Sequence, residues 1–511
     1  MGSPPDFDVT DQDAYDALQA KLVPLWKSIE DLNTDEQTIV VVPSAEVDFE
    51  LTASRLQAYE ERYLFLLLLL RQPRARMIYV TGQAIHPDIV DYYLDLMPGV
   101  ISSHARQRLF LVSPQEATSR PLAQKLLDRP RLLERIRSLI IDPDRAHLVP
   151  FMASWKDREL AMRLGIPMYG ADPKDSHLGT KSEGRRLFVE AGIPHPAGYE
   201  GIHSRPEVVD AIHKLRTADP NLGRVVIKHD EGVSGYGNAV VDLEGLGPPG
   251  SRQAEDELTR LLDDLKVEGP GATVDSYYQT LSEEGGIVEE MVEAAEIRSP
   301  SAQLRITPLG QVALLSTHDQ ILGGESHQVF IGSRFPADPD YGPAISSSAL
   351  AVGQLLAAQG VIGRFAIDFV VGRDQDSEWT INAIELNLRK GGTTHPFLTL
   401  QFLTDGRFDG STGVFTAPSG RAKYYVASDH VEAPGLSALT PHDVLDLALM
   451  RDLHFDQARQ VGSVFHMLSA LGAEGQIGVT SVGDSLAEAE ERFEQVVAAL
   501  TAEAELASGG H

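Results

Sequence analysis

The feature that most constrains this chain is VVIKHDEGVSGYGN, residues 225–238, in which a β-branched run passes through Lys228 into Gly232, Gly235 and Gly237 and then into a second apolar run. Glycine-rich loops that follow a strand present backbone N–H groups to phosphate. A P-loop carries its lysine after the glycines, so a lysine before them excludes one. A dinucleotide fingerprint opens a helix at its last glycine, whereas Asn238-Ala-Val-Val-Asp-Leu reads as strand. The segment predicts a β-hairpin whose glycine loop closes over a ligand.

Around it, residues 1–177 alternate apolar strands at 38–44, 75–82 and 108–113 with helical runs at 51–70 and 121–139. This is the pattern of an α/β domain with a mostly parallel sheet. A helix within 179–198 is stopped by Gly192 and Pro194. Residues 178–400 are richer in strands and hairpins. Residues 401–511 carry two further strands around a turn at 472–475, then a final helix opened by Ser485, with Glu488 at capping-box spacing. The expected fold class is therefore α/β and α+β in three segments, 1–177, 178–400 and 401–511.

Composition narrows function by exclusion. A net charge of −30 repels nucleic-acid phosphates and anionic membranes, and no basic stripe interrupts it. There is no cysteine, so disulfides, thiolate catalysis and cysteine-ligated metals are ruled out. The longest apolar run, 63–70, is far short of the roughly 20 residues that span a bilayer and reads as a buried helix. No leader of signal-peptide type is visible, which makes the cytoplasm the expected address.

Downstream, GIVEEMVEAAEIRSPS runs from an apolar strand into Glu289 and Glu290, with Val292 and Glu296 following. Further on, RFAIDFVV and INAIELNLRKGGTTHPF hold Asp368, Glu385 and Asn387. Alternation along AIELN puts Glu385 and Asn387 on one strand face, and a hairpin through 372–374 brings Asp368 opposite. Two carboxylates about 4 Å apart repel by about 4 kcal/mol at an effective dielectric of 20 unless a cation lies between them. An oxygen-only donor set of this kind suits Mg²⁺ or Mn²⁺. His318 and His395 read as hydrogen-bonded loop histidines rather than catalysts.

Four signals in this order, Lys181 before a helix ending in GIPHP, Lys228 with its glycine loop, Glu289-Glu290-Met291-Val292 with Glu296, and Asp368 with Glu385-x-Asn387, resemble the ATP-grasp enzymes. The resemblance implies an ATP-grasp fold with ATP and Mg²⁺ (or Mn²⁺) as cofactors. It implies that Lys181 and Lys228 contact phosphates under a loop containing Gly232, Ser234, Gly235 and Gly237. Glu289, Glu290 and Val292 would read adenine, Glu296 would hold the ribose, and Asp368, Glu385 and Asn387 would bind the metal. Arg389 extends the last motif to Glu-x-Asn-x-Arg, as in carboxylate–amine ligases of the family, where the arginine faces the activated carboxylate. The runs YEERYLFLLLLLRQPRARMIYVTG, STHDQ and ELNLRKGGTTHP are similar to the subgroup of the pheganomycin peptide ligase, with a pre-ATP-grasp domain and a small C-terminal domain. The implied partners are a small carboxylic acid and an amine or peptide, with a second copy of the chain as a candidate and neither nucleic acid nor membrane. One departure stands out. Where many such ligases carry an arginine two residues before the first metal ligand, this chain has Ala366, and Arg364 is the nearest substitute, ahead of Arg298 and Arg305. The loops at 232–237 and 319–333 are expected lids.

Overall fold

The computed structural model describes residues 8–30, 36–44, 52–232, 237–267, 273–323, 329–375 and 377–509. Ser234 and Gly235, and the middles of both expected lids, lie outside the described residues. Among the described residues, no helix is long and apolar enough to cross a membrane.

The first segment forms a four-stranded parallel sheet from β1 (Thr38–Val42), β2 (Arg76–Val80), β3 (Leu109–Val112) and β4 (Ala146–Pro150), ordered β3-β2-β1-β4. β1 is buried along its whole length, as continuous β-branched runs are when helices cover both faces. The expected helix at 51–70 is two elements, an α-helix Ala53–Glu61 and a buried 3₁₀ helix Leu64–Arg71. The run at 121–139 is likewise divided, into Leu122–Leu127 and Pro130–Leu139, because Pro130 can start a helix but not continue one.

The helix Lys181–Ala191 ends on Gly192 at φ 66°, the left-handed turn that glycine takes without strain. A small antiparallel sheet follows, from β5 (Gly198–Glu200), β6 (Arg224–His229), β7 (Asn238–Asp242) and β8 (Gly286–Glu290), ordered β5-β8-β6-β7. β6 and β7 are the two arms of the hairpin read from the sequence, with Lys228 paired to Asn238 at its mouth.

The largest sheet has nine strands. β9 (Glu296–Arg298), β10 (Pro300–Ile306), β11 (Val312–Gly323), β12 (Val329–Phe335), β13 (Gly363–Arg373) and β14 (Thr380–Asn387) come from the middle segment. Beyond a short separate hairpin of β15 (Arg407–Asp409) and β16 (Val414–Thr416), the chain adds β17 (Tyr424–Glu432), β18 (Gly462–His466) and β19 (Gln476–Gly483) to the same sheet. The order is β14-β13-β10-β11-β12-β17-β19-β18, with β9 on the edge of β13. Strands on either side of residue 400 thus share one sheet, through β12 against β17. β18 and β19 pair as expected, but they are joined by a 3₁₀ turn and the short helix Leu471–Glu474 in place of a tight turn. Ser485 caps the final helix, Leu486–Ala507, by accepting from the Glu488 N–H.

Candidate functional site

A cavity of about 560 Å³ lies between the small sheet and the face of the large one, and residues from all three segments line it. Its walls include Lys181, Lys228, Gly232, Glu289, Glu290, Met291 and Val292 on one side, and Asp368, Glu385, Asn387 and Arg389 on the other. Residues more than 200 positions apart in sequence, chosen for their chemistry, meet in one space.

The acidic set is built by strand register. β13 and β14 pair antiparallel, with Asp368 opposite Glu385 and Ala366 opposite Asn387. The next pair is Phe369 with Ala383, so Ile384 is an extra residue and the ladder bulges beside the carboxylates, a device that re-aims side chains at active sites. Asp368 accepts from Gln320 Nε2 at 2.8 Å and from Asn387 Nδ2 at 3.0 Å. Burial and then the neighbouring Glu385 push its carboxyl up to about 7. Among the described residues no cluster of three or more histidines and carboxylates could hold a metal. The donor set is two carboxylates and one carboxamide, all hard oxygen donors, and it fits a magnesium ion whose remaining positions are filled by phosphate or water.

The cationic side is organised around Glu289, whose side chain is 3% exposed. Lys228 Nζ donates to Glu289 Oε1 at 2.5 Å, and Arg185 Nη1 donates to Oε2 at 2.7 Å. Arg185 also stands 3.8 Å from Glu200, so two carboxylates share its charge, and of the two cations on Glu289 it is Lys228 that lines the cavity. Lys181, the first residue of its helix, donates from Nζ to the Gly232 carbonyl at 2.6 Å and stands 3.7 Å from Glu385. It therefore links the glycine loop to the acidic set. Gly237 closes the loop at φ 83°, where a Cβ would also meet the His229 ring at 3.0 Å. Glu290 accepts from the Ala197 N–H at 2.9 Å, which fixes the start of the segment that runs to Val292.

Two expected residues are placed elsewhere. Glu296 does not line the cavity, because Arg298 and Arg373 hold its two oxygens at the edge of β9. Contact with a ribose would require it to leave them. Arg364 is also absent from the cavity wall. It lies opposite Arg305 in the β10–β13 ladder, and burial, with that neighbour's charge, pulls its guanidinium down to about 10. Of the other two substitutes, Arg298 is tied to Glu296 and Asp338, and neither it nor Arg305 lines the cavity. Among the described arginines, only Arg389 and Arg62 line the cavity. His318 and His395 sit on a strand and a helix, not on loops. His318 meets the Tyr425 hydroxyl at 2.6 Å and His395 meets Asp429 at 3.0 Å.

Sequence reasoning missed Arg185, Gln320, Arg62 and Asp429. Arg185 sits one helical turn beyond Lys181, so helical spacing alone carries it to the same face. Gln320 closes the STHDQ run, which gave no chemical signal of its own. Arg62 and Asp429 meet at 2.9 Å across 367 positions, beyond any local pattern.

A family model described as IQCH-like, ATP-grasp matches residues 175–263 and 272–411, and a model of the PGM1 C-terminal domain matches 443–496. The chain is 31% identical over 435 residues to L-propargylglycine–L-glutamate ligase of Streptantibioticus cattleyicolor, across 83% of this chain and 86% of that one. It is 24% identical over 408 residues to IQ motif-containing protein H of Danio rerio, across 71% of this chain but only 38% of that protein. Biotin carboxylase of Campylobacter jejuni, solved as a β,γ-ATP complex, superposes with a TM-score of 0.55 at 11% identity, covering 93% of this chain and 96% of its own, a likeness of fold alone. The hairpin, the register-built acidic set and a relative matched along most of both chains lead to one assignment: the chain belongs to the ATP-grasp family of carboxylate–amine ligases.

Proposed function

We propose that the protein couples a carboxylic acid to an amine by way of an acyl phosphate, releasing ADP and phosphate. The observation that carries this reading is Arg389 lining the same cavity as Asp368, Glu385, Lys181 and Lys228, in a chain whose relative is a ligase of two amino acids. When bound, ATP supplies the γ-phosphoryl group and magnesium draws its charge towards the carboxylates. The protein's own residues supply position and charge. Lys181 and Lys228 hold the phosphates, while Asp368, Glu385 and Asn387 hold the metal. Glu290 and Val292 flank the base, and Gly232 opens the loop above it.

The planar fork of Arg389 grips the acid so that one carboxylate oxygen faces the phosphoryl group, and it stays on that group as charge moves to the oxygens. The C–O–P linkage forms as the bond to ADP breaks. The amine nitrogen then attacks the acyl carbon, the C–O bond to phosphate breaks, and the proton lost from the amine leaves on the departing phosphate. Enclosure by residues from all three segments keeps water from the intermediate. The segments before 178 and after 400 supply the walls of the acid and amine pockets, and either substrate can be an amino acid or the end of a peptide.

The test is phosphate release measured with acid and amine together and separately, with product masses read out. A ligase needs both substrates for full turnover. Transfer of label to a hydroxyl acceptor would make the protein a phosphotransferase, and no ADP formation with any substrate would make it a nucleotide-binding scaffold.

A further inference from the structure

One stretch of the cavity wall has its own chemistry. Its walls include Leu56, Tyr59, Arg62, Phe151 and Met152 from the first segment and Asp429 from β17. Arg62 and Asp429 form the charged centre, with Nη1 donating to Oδ2 at 2.9 Å and side chains only 11% and 6% exposed. Desolvation of a buried pair of this kind can exceed its own attraction, so a partner that takes up its remaining donors and acceptors would stabilise it.

Both members have capacity to spare. Among the described residues, Arg62 makes its one hydrogen bond to Asp429, and a guanidinium carries five N–H donors. Asp429 accepts from Arg62 on one oxygen and faces His395 Nε2 at 3.0 Å on the other, using two of about four acceptor positions. Aromatic faces hold the guanidinium still, with the Tyr59 ring at 4.7 Å and the Phe151 ring at 5.7 Å.

A ligand with only a negative group would be repelled by Asp429, and one with only a positive group by Arg62. A ligand carrying both on neighbouring atoms satisfies the two together. Beside this pair, Leu56, Tyr59, Phe151 and Met152 offer an apolar surface. We propose that the Arg62–Asp429 pair is a recognition site for the α-carboxylate and α-ammonium of a free amino acid, with its side chain laid against that surface. This rests on the ligase reading, and it makes Arg62 and Asp429 specificity determinants for the acid substrate, whose amino group stays on Asp429 while its carboxylate is shared between Arg62 and Arg389 of the same cavity.

The experiment compares a whole ligand with its two halves. L-leucine, 3-methylbutylamine and 4-methylpentanoate are titrated calorimetrically into the full chain, and the series is repeated with L-norvaline, butylamine and pentanoate. The amino acid of each series should bind about tenfold or more tightly than either fragment, as loss of a charge-assisted hydrogen bond implies. Arg62→Gln should reduce amino-acid affinity to that of the amine, while the amine, freed of the repelling charge, should bind no more weakly than before. Asp429→Asn should do the converse with the acid, and Arg62→Lys should recover part of the loss. A merely structural pair would weaken all three ligands alike. Equal affinity for fragments and amino acids, uniform loss in the variants, or no saturable binding of either amino acid overturns the proposal. The wild-type comparison needs no variant to fold, and it needs no turnover. Discrimination without acid-dependent ADP release would leave this site standing and remove the ligase reading; the reverse result would do the opposite.

Discussion

Lys228 and Arg185 grip opposite oxygens of Glu289, at 2.5 and 2.7 Å, so the lysine expected to meet phosphate is held by a carboxylate that is itself anchored to a helix. Lys228→Ala should raise the KM for ATP by about tenfold or more, the equivalent of one charge-assisted hydrogen bond, while Lys228→Arg keeps the charge and loses less. Glu289→Gln should do harm of another kind. It leaves Arg185 buried with one carboxylate fewer, at a cost of about 3–5 kcal/mol. ATP titrations paired with melting curves separate the two effects, and unchanged kinetics in both lysine variants would return Lys228 to a purely structural role.

Asp368 faces Glu385 across the ladder, and Asn387 follows two residues on along the same strand face. Glu385→Ala and Asn387→Ala should each reduce ADP formation by about a hundredfold or more, since electrostatic groups at a phosphoryl-transfer site are commonly worth that much. Neither change opens a hydrophobic core, so melting temperatures without nucleotide should stay near wild type. Retained turnover at saturating Mg²⁺ would sink the metal assignment.

Glu61 supplies a pH test that does not involve the acidic set. Burial pushes its carboxyl up to about 7, against hydrogen bonds from Ser469 and Gln57, whereas the ordinary value for glutamate is 4.5. The folded protein therefore holds this proton more tightly than the unfolded chain does. The contribution is full below about pH 4.5 and is lost as pH rises through about 7, which amounts to about 3 kcal/mol at most. Glu61→Gln should flatten the fall in melting temperature between about pH 5 and pH 8. Some slope should remain, because burial also raises its neighbour Glu60 to about 7. Parallel curves for wild type and variant would contradict the assignment.

The parts of this molecule legible in the sequence are those fixed by local pattern. Strand β1 can be read from a β-branched run, the β6–β7 hairpin from three glycines, and the helix stop at Gly192 from a left-handed turn. The facing of Asp368 and Glu385 follows from a period of two and a short turn, although the bulge at Ile384 that adjusts it gives no sign. What stays hidden depends on distant segments. Nothing near residue 62 or residue 429 shows that the two will meet, and nothing in the Ala366 departure shows that Arg364 lies outside the cavity wall, opposite Arg305. Spacing from Glu289 points to Glu296, but spacing cannot report that Arg298 and Arg373 claim its oxygens.

Arg389 gives the sharpest test of the chemical order. It lines the cavity, its one hydrogen bond among the described residues is to the Lys390 carbonyl at 3.3 Å, and its charge works to lower Asp368. If its fork faces the acid, then acid without amine should support slow ADP release, and ¹⁸O from the carboxylate should appear in phosphate. Amine alone should support neither. Arg389→Lys keeps the charge but cannot grip two oxygens in one plane, so acid-dependent turnover should fall by about tenfold to a hundredfold while the affinity for ATP stays nearly constant. A defect confined to ATP affinity would place Arg389 on the nucleotide. Formation of AMP and pyrophosphate in place of ADP and phosphate would mean that the carboxylate is activated by adenylation, and a guanidinium set to face an acyl phosphate would then have no such group to face.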